Sequence, residues 1–159
     1  MVKTHRSAYL AKRSKHGTRK TSGSRNSIHK FHKYIVVNFL SMLNTIKLYH
    51  WNTHSYATHK ATDELYSKMN EHIDTFVEVL LGKTGDRVNM SSSVHITLKN
   101  CTSQKELVRE MERCKTCLVN LENNPALKSM GMSNSDLFNI RDEILADINQ
   151  FLYLLTLHN

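Results

Sequence analysis

Ile35, Phe39, Met42, Ile46 and Tyr49 follow one another at spacings of four, three, four and three residues, so on an α-helix all five fall in one stripe. The pattern recurs at Leu65, Met69, Ile73, Phe76 and Leu80, at Leu107, Met111, Cys114, Leu118 and Leu121, and from Leu137 through Ile140, Ile144, Ile148 and Phe151 to Leu155. One Pro and five Gly in 159 residues leave few turn formers for a strand-rich fold, and the chain is abundant in Leu, Met, Lys and Glu. The expectation is an all-α fold with four amphipathic helices, about 29–52, 58–82, 103–123 and 134–157. Ser55 or Thr58 caps the second, which stops at Gly82 and Gly85; Ser103 opens the third, which Asn123, Asn124 and Pro125 close. Ser133 or Ser135 opens the fourth.

The length fits one domain, placed at 29–159. Residues 83–102 are rich in Ser, Thr, Asn and Gly, carry a short apolar patch at Val94, Ile96 and Leu98, and form the one long connection of this body. A long link between the second and third helices lets a bundle cross over. It fits a ferritin-like four-helix bundle with one crossover better than a simple up-and-down bundle.

Charge is divided unevenly. Residues 1–33 hold Lys3, Arg6, Lys12, Arg13, Lys15, Arg19, Lys20, Arg25, Lys30 and Lys33 and no acid. The rest of the chain has 12 Lys and Arg against 14 Asp and Glu, a net of −2 within an overall +8. Residues 1–28 have too little apolar surface to offset chain entropy and are expected to be a disordered basic tail. The ten cations can neutralise DNA phosphates without reading sequence, and an assembly would multiply weak arms into strong binding. A solubilising tail, an organellar transit peptide and a nuclear-localisation signal are the competing readings of the same run.

Three cysteines at 101, 114 and 117 do not make the even, spaced set of a secreted disulfide framework, so a reducing compartment is expected. Cys114 and Cys117 read as small packed side chains rather than a redox pair. No apolar run of about 18 residues and no signal-like apolar stretch occurs, so a soluble intracellular protein with no membrane association is expected. His54, His72 and His95 are expected at the surface. No nucleophile stands with a base, and no glycine-rich phosphate loop is present.

The metal-ligating residue types concentrate in the first two helices. Asp74 and Glu78, four apart, share one helical face. Such a pair is by itself more often a solvated face than a metal site. His50 and His59 flank the first turn, and Asp63 follows one helical turn on. Imidazole and carboxylate together suit iron and related first-row metals. His59 and Asp74 lie 15 residues apart on one helix, a separation of ~22 Å, so they cannot share an ion within one chain. A shared site needs two chains related by a two-fold axis, a homodimer at minimum.

The stretch Tyr49-His50-Trp51-Asn52, followed by His59, Asp63, Asp74 and Glu78 in HKATDELYSKMNEHIDTFVE, resembles the ferroxidase helices of the Dps family of mini-ferritins. Asp136 to Leu155, with Asp147, Phe151 and Leu152 in a D-x-x-x-F-L pattern, resembles the family's last helix. The resemblance covers about residues 31–159 and is weakest in the connection and third helix. The turn between Trp51 and His59 is about three residues shorter than in common bacterial members, and the crossover is shorter too. HWNTHSYATHKA and FVEVLLGK look most like Dps-like proteins of large DNA viruses and phages.

The resemblance implies oxidation of Fe(II) by hydrogen peroxide or oxygen, iron storage and a role in oxidative stress, inside a hollow and dodecameric shell. His50 and His59 would supply neutral nitrogens, Asp74 and Glu78 would neutralise and bridge two irons, and Asp63 would be a further ligand or support one. Zinc or manganese are the alternatives to iron. Trp51 would shield the site or accept an oxidising equivalent; as a bare residue it reads equally as a packed aromatic at a helix end. Cytoplasm or nucleoid is the implied location, or virion and host cell for a viral protein. A structural DNA-packaging protein that keeps the bundle without ferroxidase activity is the competing function.

Overall fold

The computed structural model describes residues 22–90, 94–131 and 133–157. Among these, four long helices carry the fold: α1 (Ser22–Asn52), α2 (Tyr56–Thr84), α3 (Gln104–Val119) and, after the four-residue helix α4 (Pro125–Lys128), α5 (Ser135–Leu154). A 3-10 turn at Asn120–Asn123 leads out of α3. The described residues contain no strand, and the protein is an all-α bundle.

Side-chain contacts set the directions. Phe39 meets Phe76 edge to face at 5.2 Å, and His29 at the start of α1 approaches Asp86 beyond the end of α2, so α1 and α2 are antiparallel. Lys83 bonds Asp136 at 2.8 Å and Lys68 bonds Gln150 at 3.1 Å, which makes α5 antiparallel to α2. Gln104 at the start of α3 donates to the Leu155 carbonyl at the end of α5 at 2.9 Å, and Arg141 early in α5 reaches Glu122 just past α3 at 2.7 Å, so α3 is antiparallel to α5 as well, while Tyr34 of α1 meets Cys117 at 3.2 Å. Helices α2 and α3 therefore run the same way, on opposite corners of a ring in which α1 and α5 each touch both. Two parallel consecutive helices need a link as long as the bundle. The described residues from 94 onward in that link lie against α1, where Ser41 donates to the Thr97 carbonyl at 3.5 Å and Asn52 to Asn100 at 3.4 Å.

The four apolar stripes close on one core in which Ile35, Phe39, Ile46, Met69, Phe76, Met111 and Leu118 are fully enclosed. Local chemistry fixes the ends. Ser55 Oγ accepts from Thr58 N at 3.2 Å and caps α2, while Thr58 itself is buried inside the helix. Helix α2 continues through Gly82 and stops at Gly85, whose φ of 70° is the left-handed conformation open to glycine and whose N–H closes on the Leu81 carbonyl. Ser103 caps α3 as expected. Asn134 occupies the cap of α5 without a side-chain bond, while Ser133 Oγ takes the Ser135 N–H at 3.3 Å.

Two expectations are corrected. The tail drawn through residue 28 ends earlier, because residues 22–28 belong to α1 and Ile28 and Phe31 are core residues at 3% exposure each. They extend the Ile35 stripe backwards by one and two turns, a continuation masked by the basic composition around them. In α5 Ile140 packs half-buried against the core, but the fully enclosed position after Leu137 is Arg141, which the apolar stripe left out. Its guanidinium is paired with Glu122 and Asp142 at 2.7 Å each, so the charge is not left bare.

Candidate metal centre

Three residues, 53–55, join α1 to α2. So short a link lets the last turn of one helix and the first turn of the next face each other, and His50 and His59 stack with ring centroids 3.9 Å apart and planes 24° from parallel. Each ring is held by the other residue's main chain. His50 Nδ1 donates to the His59 carbonyl at 3.0 Å, and His59 Nδ1 donates to the His50 carbonyl at 3.0 Å. Thr62 Oγ1, 3.2 Å from His50 Nδ1, spends its own proton on the Thr58 and His59 carbonyls and so is a second acceptor.

A carbonyl can only accept, so Nδ1 carries the proton in both rings. In the neutral imidazoles the lone pairs sit on Nε2. This is the arrangement that orients imidazole ligands in metal sites, with the non-ligating N–H tied to a carbonyl. His50 is buried and His59 half-buried. Asp63 is exposed, with Oδ1 3.9 Å from His50 Nε2 and 3.8 Å from Lys47 Nζ. Lys47 also lies 4.8 Å from the Tyr66 ring centroid.

Asp74 and Glu78 are exposed on the same unbroken helix, and neither has an ion-pair partner among the described residues. At 3.6 residues per turn, His59, Asp63, Asp74 and Glu78 fall within an arc of roughly 100° on α2. The histidine end and the carboxylate end of that face are ~22 Å apart at 1.5 Å per residue. Among the described residues no three of His, Cys, Asp and Glu converge closely enough to hold an ion. Beside the face, Val36, Leu40 and Leu43 of α1 and Ile73 and Val77 of α2 line an open apolar groove with Asp74 in its wall.

Trp51 is 67% exposed, so it is not a packed helix-end aromatic within the chain, and Tyr56 beside it is 75% exposed. His54 and His95 are at the surface as expected. His72 is half-buried and pairs with Asp147 of α5 at 3.2 Å. Burial pushes the Asp147 carboxyl up, against the opposing pull of His72 and Lys68. The sequence offered no spacing signal for this pair because its members lie on different helices.

The cysteines are free thiols. Cys114 is buried and its thiol is pushed up to about 12 by burial, a packed and unreactive state. Of the basic residues expected to meet nucleic acid, Arg25, Lys30 and Lys33 stand exposed on the first turns of α1. Lys3, Arg6, Lys12, Arg13, Lys15, Arg19 and Lys20 lie outside the described residues. Among the described residues no helix is long and apolar enough to cross a membrane.

Fold and site together define a four-helix protein with a paired-histidine hairpin and a carboxylate pair displaced along the same face. Residues 50–155, two thirds of the chain, match a family of unknown function, DUF5856, and the chain belongs to that family. The matched span begins at His50 and takes in His59, Asp63, Asp74 and Glu78. No curated protein and no solved structure matches the chain.

Proposed function

We propose that the protein is a Dps-like mini-ferritin on a ferritin-like bundle, which binds and oxidises Fe(II) at sites shared between two copies of the chain and stores the product. The carrying observation is the reciprocal His50 and His59 clasp, which commits both Nδ1 protons to carbonyls and leaves both Nε2 lone pairs for a metal. The parallel course of α2 and α3, joined by one long link, also supports the reading.

The ligand spacing is self-complementary. A two-fold axis crossing α2 at the level of Lys68 and Met69 would set His59 of one copy opposite Glu78 of the other, and Asp63 opposite Asp74. The apolar groove beside that face supplies surface for the second copy to cover. Iron is the substrate. Two Fe(II) ions each release one electron to hydrogen peroxide, the oxygen–oxygen bond breaks, and two hydroxides leave; with oxygen as oxidant the same electrons reduce it to peroxide. His50 and His59 would hold the cation as neutral donors, and Asp74 and Glu78 would balance its rising charge. Zinc or manganese would be competitors for the same ligands. The exposed Trp51 stands where a second copy could cover it beside the site.

The basic arm would bind DNA non-specifically, with Arg25, Lys30 and Lys33 continuing it onto the exposed start of α1. The test is Fe(II) consumption with peroxide or oxygen, followed optically for wild type, His59→Ala and Asp74→Asn. Faster turnover than in buffer, lost in both variants, is expected. Turnover no faster than in buffer would leave a DNA-packaging bundle without ferroxidase activity.

A further inference from the structure

His32, at 1% exposure, is buried in the first turns of α1, and neither of its ring nitrogens has a hydrogen-bond partner among the described residues. It follows Phe31 directly and stands one turn beyond Ile28, both of them core side chains. A neutral imidazole so enclosed leaves a donor and an acceptor unmet; an imidazolium leaves two donors and a charge unmet, which costs far more. Asp86, one residue past the glycine that ends α2, directs Oδ2 to His29 Nε2 at 4.0 Å rather than to His32.

Burial, first, and His29, second, hold His32 below the usual imidazole range, with Asp86 pulling the other way. The remaining charges on the surrounding elements are spent elsewhere. Lys83 in the last turn of α2 bonds Asp136 at the start of α5 at 2.8 Å, and Arg141 of α5 pairs with Glu122 at 2.7 Å. Arg113 and Glu110 of α3 bond each other, and Lys128 of α4 stands exposed. A proton on the enclosed ring therefore meets no carboxylate in contact with it.

We propose that His32 is a pH-sensitive latch on the start of α1, which on taking up a proton lets residues 22–33 leave the bundle. The exposed ring charges freely in water and the enclosed ring does not, so the open form binds the proton in preference. The closed form thus keeps its full stability above about pH 6.5 and loses it as pH falls below that value. These turns lie at the end of a helix, where local opening costs less than unfolding the core. They carry the exposed Arg25, Lys30 and Lys33, so release adds three cations to the basic segment before them. Neither iron nor a second copy of the chain takes part.

Amide hydrogen exchange of the full chain, read by mass spectrometry at pH 7.5 and pH 5.5 and corrected for the intrinsic exchange rate, tests the latch. Amides of residues 27–33 in wild type should exchange about tenfold faster than those of α3, or faster still, and their opening should grow about tenfold between the two pH values. In His32→Leu and His32→Gln that growth should be less than about twofold. The glutamine keeps a buried donor and acceptor but cannot charge, so it isolates the proton even if the leucine repacks the turn. Equal growth in wild type and His32→Gln would overturn the proposal. So would protection of residues 27–33 equal to that of α3, which would mean that these turns open only with the whole bundle.

Discussion

His50 and His59 each hold the other's imidazole through a backbone carbonyl, at 3.0 Å in both directions. The two rings also share one stack, so either loses that contact when the other is removed while keeping its own bond to a main-chain carbonyl. Replacing either histidine by alanine removes one ring-to-carbonyl bond and the stack, and an expected ~1–3 kcal/mol of stability goes with them. Urea denaturation of the single and double variants checks it: the double loss should fall short of the summed single losses. Strict additivity would show that the rings act separately.

Association follows from the exposed face. Leu40 is 40% exposed in the groove, so Leu40→Asp should change the stability of the isolated chain by roughly 0.5 kcal/mol or less. Sedimentation velocity should nonetheless show it shifted to smaller species than wild type, with iron oxidation lost in parallel. An unchanged sedimentation profile in Leu40→Asp would place the contact between copies elsewhere.

Stability of the chelator-treated protein should depend on pH through His32. Burial, first, and His29, second, lower its pKa from the ordinary 6.5, with Asp86 opposing them. The unfolded chain then takes up the proton more readily than the folded one, so this residue weakens folding as pH falls below about 6.5 and has no such effect well above it. Thermal melts from pH 8 to pH 5 should fall more steeply for wild type than for His32→Leu. Parallel curves would mean that another group governs the acid limb.

Thiol reactivity should separate the cysteines. Cys114 and Cys101 are buried with their thiols pushed up by burial, whereas Cys117 is partly exposed beside the Tyr34 hydroxyl. Mass mapping after brief iodoacetamide treatment should find label on Cys117 first, and on all three only in urea. Early labelling of Cys114 would show that α3 opens locally.

The beginning of α1 dictates how the arm should be cut. Removing residues 1–21 leaves every described helical residue in place, while removal through residue 33 takes Ile28 and Phe31 out of the core. Each buried side chain of that size is worth ~2–5 kcal/mol, so the longer deletion should unfold at much lower urea. Gel retardation of DNA across a salt series should weaken in the shorter deletion. If it does not, the seven cations before residue 22 contribute no binding.

Helix number and order were legible because each stripe repeats at the helical period, and the caps at Ser55 and Ser103 sit where side-chain oxygens meet free N–H groups. The start of α1 was misread because the polar and basic run at residues 22–28, Arg25 among them, made helical turns that end on the core residue Ile28 look like tail; charge on one face says nothing of the opposite face. Arg141 was missed for a related reason: a guanidinium in an apolar stripe is legible only once Glu122, nineteen residues earlier in another turn, is known to reach it.

By itself the sequence determined that the chain folds into four helices, that its cations gather at one end, and that His59 and Asp74 are too far apart on one rigid helix to share an ion. Periodicity, composition and helical rise are local properties, and they suffice for those statements. Only the tertiary structure decided that His50 and His59 share a clasp, that His72 meets Asp147, and that His32 is buried with its nitrogens unmet. These depend on the rotation of one helix against its neighbour, which the packing of the whole core sets and no single segment encodes.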